Sequence, residues 1–186
     1  MVIAVADLAT AAREIEARHG LTSLEGGRHP GWGTANRIVP LGDTYLELVA
    51  VVDEDEAARS RFGSWVGTAH PGLVRPLGRA VRTEELDVVA VRLGLDIVPG
   101  SRTTGDGTLL RWRLAGVDQA AAEPSLPFFL ERHPGTPFPG RAPVTHRAGD
   151  TQITGLRLDG QPGRLADRLG PDFARLPIVV PRGCPR

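Results

Sequence analysis

Two side chains of this sequence carry the chemistry for moving a proton or holding a cation. His29 stands in GGRHPGWGTAN, among glycines and a proline. Imidazole ionises near neutrality, which suits general acid–base work or metal ligation; the plainer reading is a loop histidine bonded to backbone. Glu47 lies inside the apolar run YLELV. A carboxylate there is costly unless it binds a cation, takes up a proton, pairs with an arginine or faces solvent. Arg37, on the neighbouring predicted strand, is a ready partner. Arg28, Trp32, Asn36, Arg37 and Trp112 have ligand-binding chemistry. The paired arginines Arg28/Arg102 and Arg37/Arg111 suit a grip on an anion through bidentate hydrogen bonds, and indoles line pockets. The same arginines equally suit structural pairing with carboxylates, and Trp112 equally suits a core. His70 and His133 each precede a proline in a loop, and His146 is in another loop. None has the spacing of a metal-ligand pair.

The elements that must position these groups follow from periodicity. The apolar run IAVA at 3–6 opens the chain, and Asp7 stands where a helix N-cap belongs. Leu8, Ala11, Ala12, Ile15 and His19 recur at helical spacing and Gly20 supplies the stop, so a helix is expected over 7–19. A glycine-rich loop over 26–33 then leads to strands at 35–40 and 44–52, joined at Gly42-Asp43. Alternation in the second strand puts Tyr45, Glu47, Val49 and Val51 on one face, and Leu46, Leu48 and Ala50 on the other. A connecting helix suits the acidic stretch that follows. A second unit begins near Gly78: strand, a helix capped by Thr83 with an inward stripe of Leu86, Val89, Ala90 and Leu93, a Gly/Thr/Asp loop, then strands in TLLRWRLA and LPFFLER. A third, partial unit has a strand at 153–158, a helix opening near Pro162 with Leu165 and Leu169 inward, and PIVV at 177–180.

The chain repeats itself. Shifted by 74 positions, Gly26–Gly42 meets Gly100–Gly116 with seven of 17 residues identical, among them Gly26/Gly100, Arg28/Arg102 and Arg37/Arg111. An internal repeat of this kind sets the architecture. The expected layout is module one at 1–53, a connector at 54–76, module two at 77–131, a linker at 132–150 and the partial unit at 151–186. Within the repeat His29, Trp32 and Asn36 have no counterpart, being replaced by Thr103, Asp106 and Leu110. The shared glycines suit the turn that launches each strand pair; the unshared side chains are the candidates for function.

Composition narrows the classes. All 22 basic residues are arginine and are balanced by 22 acidic ones, for a net charge of zero. Nucleic-acid binding calls for a basic surplus that is not present. Without a lysine there is no Schiff-base chemistry and no Walker A loop. No apolar run reaches the ~20 residues of a membrane span, and the first residues lack the basic region of a signal peptide. The sole cysteine, Cys184, excludes an intrachain disulfide. The profile expected is cytoplasmic.

The repeated βαβββ units, the YLELV strand, the GGRHPGWGTAN loop and its GSRTTGDGTLLRW echo resemble the glyoxalase-like branch of the vicinal oxygen chelate superfamily, over roughly 2–131 and more loosely over 150–180. The resemblance implies an α+β fold in which tandem βαβββ modules form a curved sheet or barrel around a shared cavity, with the partial third β-α unit appended. It also implies a divalent metal, held by one first-strand residue and one last-strand glutamate of each module. Glu47 matches the first glutamate, and Glu131 in PFFLER stands for the second. The first-strand ligands do not carry over: counting back eight residues from Leu86 gives Gly78, and from Leu8 it gives a position before Met1, so such a ligand would lie upstream.

Two functions are expected from this. One is a metal-dependent lyase, isomerase or dioxygenase acting on a small oxygenated molecule, with Glu47 and Glu131 as ligands or proton-transfer groups and His29 as an auxiliary acid or base. The other is a metal-free small-molecule binding module on the same fold. A homodimer is expected because the partial third unit leaves sheet edges needing a partner.

Overall fold

The computed structural model describes residues 1–68, 75–105, 107–170 and 178–179. His70, Asp106 and Cys184 lie outside the described residues, as do Pro177 and Val180 of the last expected strand. Module one runs β1 (Val2–Ala4), α1 (Leu8–His19), β2 (Leu24–His29), β3 (Thr34–Leu41) and β4 (Thr44–Val51). Two short helices follow, α2 (Glu54–Ala58) and α3 (Arg61–Gly67), then strand β5 (Arg75–Gly78). Module two runs β6 (Ala80–Arg82), α4 (Leu86–Leu93), β7 (Ile97–Thr103), β8 (Leu109–Ala115), α5 (Val117–Ala122) and β9 (Phe128–Arg132). The third unit contributes β10 (Leu156–Arg157), α6 (Pro162–Leu169) and β11 (Ile178–Val179).

One mixed sheet of nine strands, in the order β5-β1-β4-β3-β2-β7-β8-β9-β6, holds both modules. They meet edge to edge where β2 pairs with β7 at Arg28 and Thr103. β1 runs parallel to β4, with Val2 opposite Glu47. β6 runs parallel to β9 in the same manner, with Ala80 opposite Phe128. This is the expected α+β architecture of paired βαβββ modules. Among the described residues no helix is long and apolar enough to cross a membrane.

The helix signals act locally as expected. Asp7 accepts from Thr10 N and caps α1, and Gly20 ends it at a left-handed φ of 67°. α1 packs against the outer side of β1 and β4 through Ile3, Val5, Leu48 and Ala50. α4 and α6 cover the outer side of module two through Leu86, Ala90, Leu165, Leu169, Ala115 and Phe129. Arg168 ties α6 down, donating to Pro127 O at 3.0 Å and Gly116 O at 3.3 Å while its guanidinium lies over the Phe129 ring. On the opposite face, α3 and α5 close the interior with Phe62, Trp65, Val66, Val117 and Ala120.

Four local expectations need correction. The glycine-rich stretch from 26 is not a loop throughout, because β2 extends to His29; the Gly/Thr/Asp stretch of module two likewise contains β7 to Thr103. Glycine weakens a strand on average, yet here it is required by neighbouring side chains, as shown below. Thr83 does not cap α4: its hydroxyl accepts from Glu85 N in a local turn, and Glu85 at the N-cap makes no side-chain cap. The strand expected at 153–158 shrinks to Leu156–Arg157. The connector forms two helices, not one.

Candidate functional site

Strand alternation aims one set of side chains into the space between the modules. β4 presents Tyr45 and Glu47, β3 presents Asn36 and Ile38, β8 presents Leu110, Trp112 and Leu114, and β9 presents Phe128, Leu130 and Arg132. β2 departs from simple alternation. Its register against β3 shifts between Glu25 and Gly27, a bulge at Gly26. One extra residue exchanges the faces of everything beyond it. Without the bulge, Arg28 would point inward, as its repeat mate Arg102 does in the regular strand β7. With it, Arg28 is exposed and His29 is turned inside, where it is only 2% exposed.

Trp32 is placed by the connector. Glu56 of α2 accepts from Gly31 N at 2.6 Å and Gly33 N at 3.0 Å, pinning both ends of the turn that carries the indole. Trp32, Trp112 and Phe62 surround the His29 ring at centroid distances of 5.7, 5.8 and 6.3 Å. Two strand glycines supply the room. A Cβ at Gly26 would stand 1.9 Å from Asn36 Oδ1, and a Cβ at Gly100 would stand 2.3 Å from Trp112 Nε1 and 2.6 Å from Trp32. The repeated pair Gly26/Gly100 thus serves close approach of site side chains, not the turn to which its recurrence pointed.

The polar centre is a chain that crosses the module boundary. Arg102 Nη1 donates to Asn36 Oδ1 at 3.3 Å, and Asn36 Nδ2 donates to Glu47 Oε1 at 2.6 Å. Asn36, at 4% exposed, and Arg102, at 8%, are buried; the Glu47 side chain keeps 16%. His29 Nε2 stands 3.9 Å from Glu47 Oε1, and Nδ1 is 2.8 Å from Thr34 Oγ1. The nearby carboxylate favours the proton on Nε2, which leaves Nδ1 to accept from the Thr34 hydroxyl. Burial holds the His29 imidazole below its ordinary range; Glu47 opposes that shift and Arg102 reinforces it. Its neutral form is therefore favoured. Burial likewise pushes the Tyr45 phenol up, with Glu47 adding to the effect. Arg132 closes the chamber, donating to Tyr45 Oη at 3.1 Å and Pro137 O at 3.2 Å. Its Nε is buried without a hydrogen-bond partner.

The fold brings His29, Trp32, Asn36, Glu47 and Trp112 onto one cavity of about 50 Å³. It does not bring Arg28, Arg37 or Glu131 there. Arg37 is on the outer face of β3 and donates to Ser23 Oγ at 2.9 Å and Ser23 O at 2.8 Å, so the partner of Glu47 is Asn36 instead. Glu131 falls on the outer face of β9, between Phe128 and Leu130 on one side of it and Arg132 on the other. There it accepts from Leu86 N at 3.2 Å and pairs with Arg113, serving as the long-range cap that α4 lacks. His146 is structural, bridging Thr22 N at 3.0 Å and Pro40 O at 2.7 Å. His133 is exposed beside Pro134 O. Arg132 and Tyr45 were not singled out from the sequence as site residues, and of the repeated arginine pairs only Arg102 lines the cavity. For Arg132 the sequence carries no parity signal, since the run PFFL before it is apolar on both strand faces.

These donors do not match a divalent-metal set. Val2 stands six residues before Leu8, and Ala80 six before Leu86. The strand pairings Val2–Glu47 and Ala80–Phe128 therefore make Phe128, not Glu131, the counterpart of Glu47. Gly78 brings no donor, and a Cβ there would meet the Trp65 indole at 2.6 Å. Among the described residues module two thus places no such ligand opposite Glu47, while two guanidiniums, Arg102 and Arg132, line the same cavity. Among the described residues no group of three His, Cys, Asp or Glu side chains is arranged to hold a metal ion.

Comparison with known proteins bears on the fold. A hypothetical protein from Staphylococcus aureus superposes with a TM-score of 0.55 at 16% identity, over 71% of this chain and 57% of that one. The chain thus spans little more than half the length of that relative. A methylmalonyl-CoA epimerase in complex with methylmalonyl-CoA and NH4+ gives a TM-score of 0.50 at 19% identity, over 73% of this chain and 94% of that one. A variant of the Streptomyces coelicolor methylmalonyl-CoA epimerase in complex with 2-nitronate-propionyl-CoA gives a TM-score of 0.50 at 19% identity, over 72% of this chain and 92% of that one. At such identities the likeness is one of fold. No curated protein sequence matches. The family described as Glyoxalase-like domain matches residues 1–171. With its paired βαβββ modules and their shared cavity, this chain belongs to that glyoxalase-like family of the vicinal oxygen chelate superfamily.

Proposed function

We propose that the chain binds a small carboxylate-bearing molecule in the cavity between its two modules, without a metal. The observation that carries this reading is the charge of the cavity lining, where two guanidiniums, Arg102 and Arg132, face a single carboxylate, Glu47. A ligand carboxylate would balance the second cation through charge-assisted hydrogen bonds. Trp32 and Trp112 supply flat apolar walls beside it. A second reading adds proton transfer: Glu47 would accept a proton from the bound molecule, with the neutral His29 imidazole 3.9 Å away holding the carboxylate in place. Dimerisation belongs to the same proposal, because β6 ends the sheet with no strand on its outer side among the described residues.

The test is calorimetric titration with propionate and succinate at low ionic strength, before and after exhaustive chelation. Saturable binding that survives chelation is expected, weakened roughly 10- to 100-fold in Arg132→Met, the worth of a hydrogen bond to a charged group. Thermal unfolding of the variant controls for folding. Binding that needs added divalent metal, or that is indifferent to Arg132→Met, would overturn the proposal.

A further inference from the structure

The small cavity does not end at Arg132. A second chamber of about 330 Å³ adjoins it, and Tyr45, Glu47, Ala80, Leu130 and Arg132 line both. Its remaining wall is mostly apolar: Val81 and Pro127 from module two, then Phe138, Ile153 and Leu156 from the linker and the third unit. Those last three residues lie beyond the paired modules, so the segment that follows module two closes the chamber.

The two volumes differ in what they hold. At roughly 30 Å³ per water-sized group, the inner cavity takes one or two such groups and the outer chamber about ten. The outer volume lies within the ~300–1,000 Å³ of small-molecule sites, whereas the inner one does not. The other cations of the outer chamber already have partners, the Met1 ammonium donating to Tyr45 O at 2.8 Å. Arg79 donates to Pro124 O at 3.4 Å and to Ser125 O, and the Arg82 guanidinium rests over the Phe138 ring at 5.0 Å. The unpartnered donor, Arg132 Nε, belongs to the residue at the junction.

Resting on the carboxylate reading above, we infer that the ligand is an amphipathic monocarboxylate, its head at Arg132 and Arg102 and an apolar body of about ten heavy atoms in the outer chamber. The linker and third unit thereby set ligand length. Burial of each methylene contributes about 0.8 kcal/mol, or about fourfold in affinity, until the chamber is full.

The experiment is a titration series of straight-chain carboxylates from propionate to tetradecanoate, read by calorimetry and by the fluorescence of the cavity tryptophans. Affinity should rise about fourfold per methylene, peak near the ten-carbon acid and fall beyond it. Ile153→Trp, which fills the chamber from a loop, should move the optimum to shorter chains, and Ile153→Ala should not shorten it. A flat length profile with propionate still bound would overturn this inference and leave the carboxylate reading standing. An unchanged optimum in Ile153→Trp would place the apolar body elsewhere and equally overturn it. If no acid in the series binds, the carboxylate reading itself fails.

Discussion

Replacing Asn36 by leucine should cost about 3 kcal/mol of stability, because this amide is the only described link between the Arg102 guanidinium and the Glu47 carboxylate. Hydrogen bonds to charged groups contribute about 1.5–3 kcal/mol each. The 2.6 Å bond to Glu47 belongs near the top of that range and the 3.3 Å bond from Arg102 near or below its lower end. The sum is then reduced because Glu47, 16% exposed, regains some water. Leucine keeps the branched shape of the amide with bulkier methyl groups, and it leaves both ions short of one partner in a site where Asn36 itself is almost fully enclosed. Urea unfolding followed by tryptophan fluorescence measures the loss as a shift in midpoint at constant slope. A double-mutant cycle with Arg102→Met isolates the cross-module bond, with an expected coupling of about 1 kcal/mol. The reasoning is refuted if Asn36→Leu costs less than about 1 kcal/mol, or if the two substitutions add within ~0.5 kcal/mol.

Two further outcomes follow from the same geometry. His29 has a depressed folded-state pKa, so below about 6.5 the unfolded chain takes up a proton that the folded one refuses. Stability should therefore fall as pH drops from 7 towards 5, by up to about 1.4 kcal/mol per pH unit for this group, until the buried imidazole itself protonates. His29→Gln should flatten that slope, and an unchanged slope in unfolding at stepped pH would count against the buried neutral imidazole. Glu131→Gln should cost about 1 kcal/mol through the start of α4 while leaving carboxylate binding intact. Hydrogen exchange at the first turn of α4, set beside the titration, distinguishes this capping role from a place in the cavity.

Much of the architecture could be read from the chain because it is local. Asp7 and Gly20 bound α1 through their own backbone and side-chain chemistry. Alternation alone separated Tyr45, Glu47 and Val49 from Leu46, Leu48 and Ala50, since a strand has only two faces. The repeat of Gly26–Gly42 at Gly100–Gly116 gave the paired modules, and the singular residues within it, His29, Trp32 and Asn36, do converge on one cavity. Glu131 misled because a motif match says nothing about parity. Phe128 and Phe129 are equally apolar, so the run does not reveal which of them faces inward.

The pair of modules, their helix stops and the face of β4 are thus written in local chemistry. The contents of the cavity, by contrast, depend on long-range pairing. A single bulge at Gly26 turns His29 inward and Arg28 outward, whereas regular β7 turns Arg102 inward. Register is fixed by pairing across strands, so two nearly identical segments can present opposite faces. Arg132 acquired its unpaired donor in the same way, through enclosure by residues distant in the chain. A side chain's type is local, but its burial and its partners belong to the whole fold.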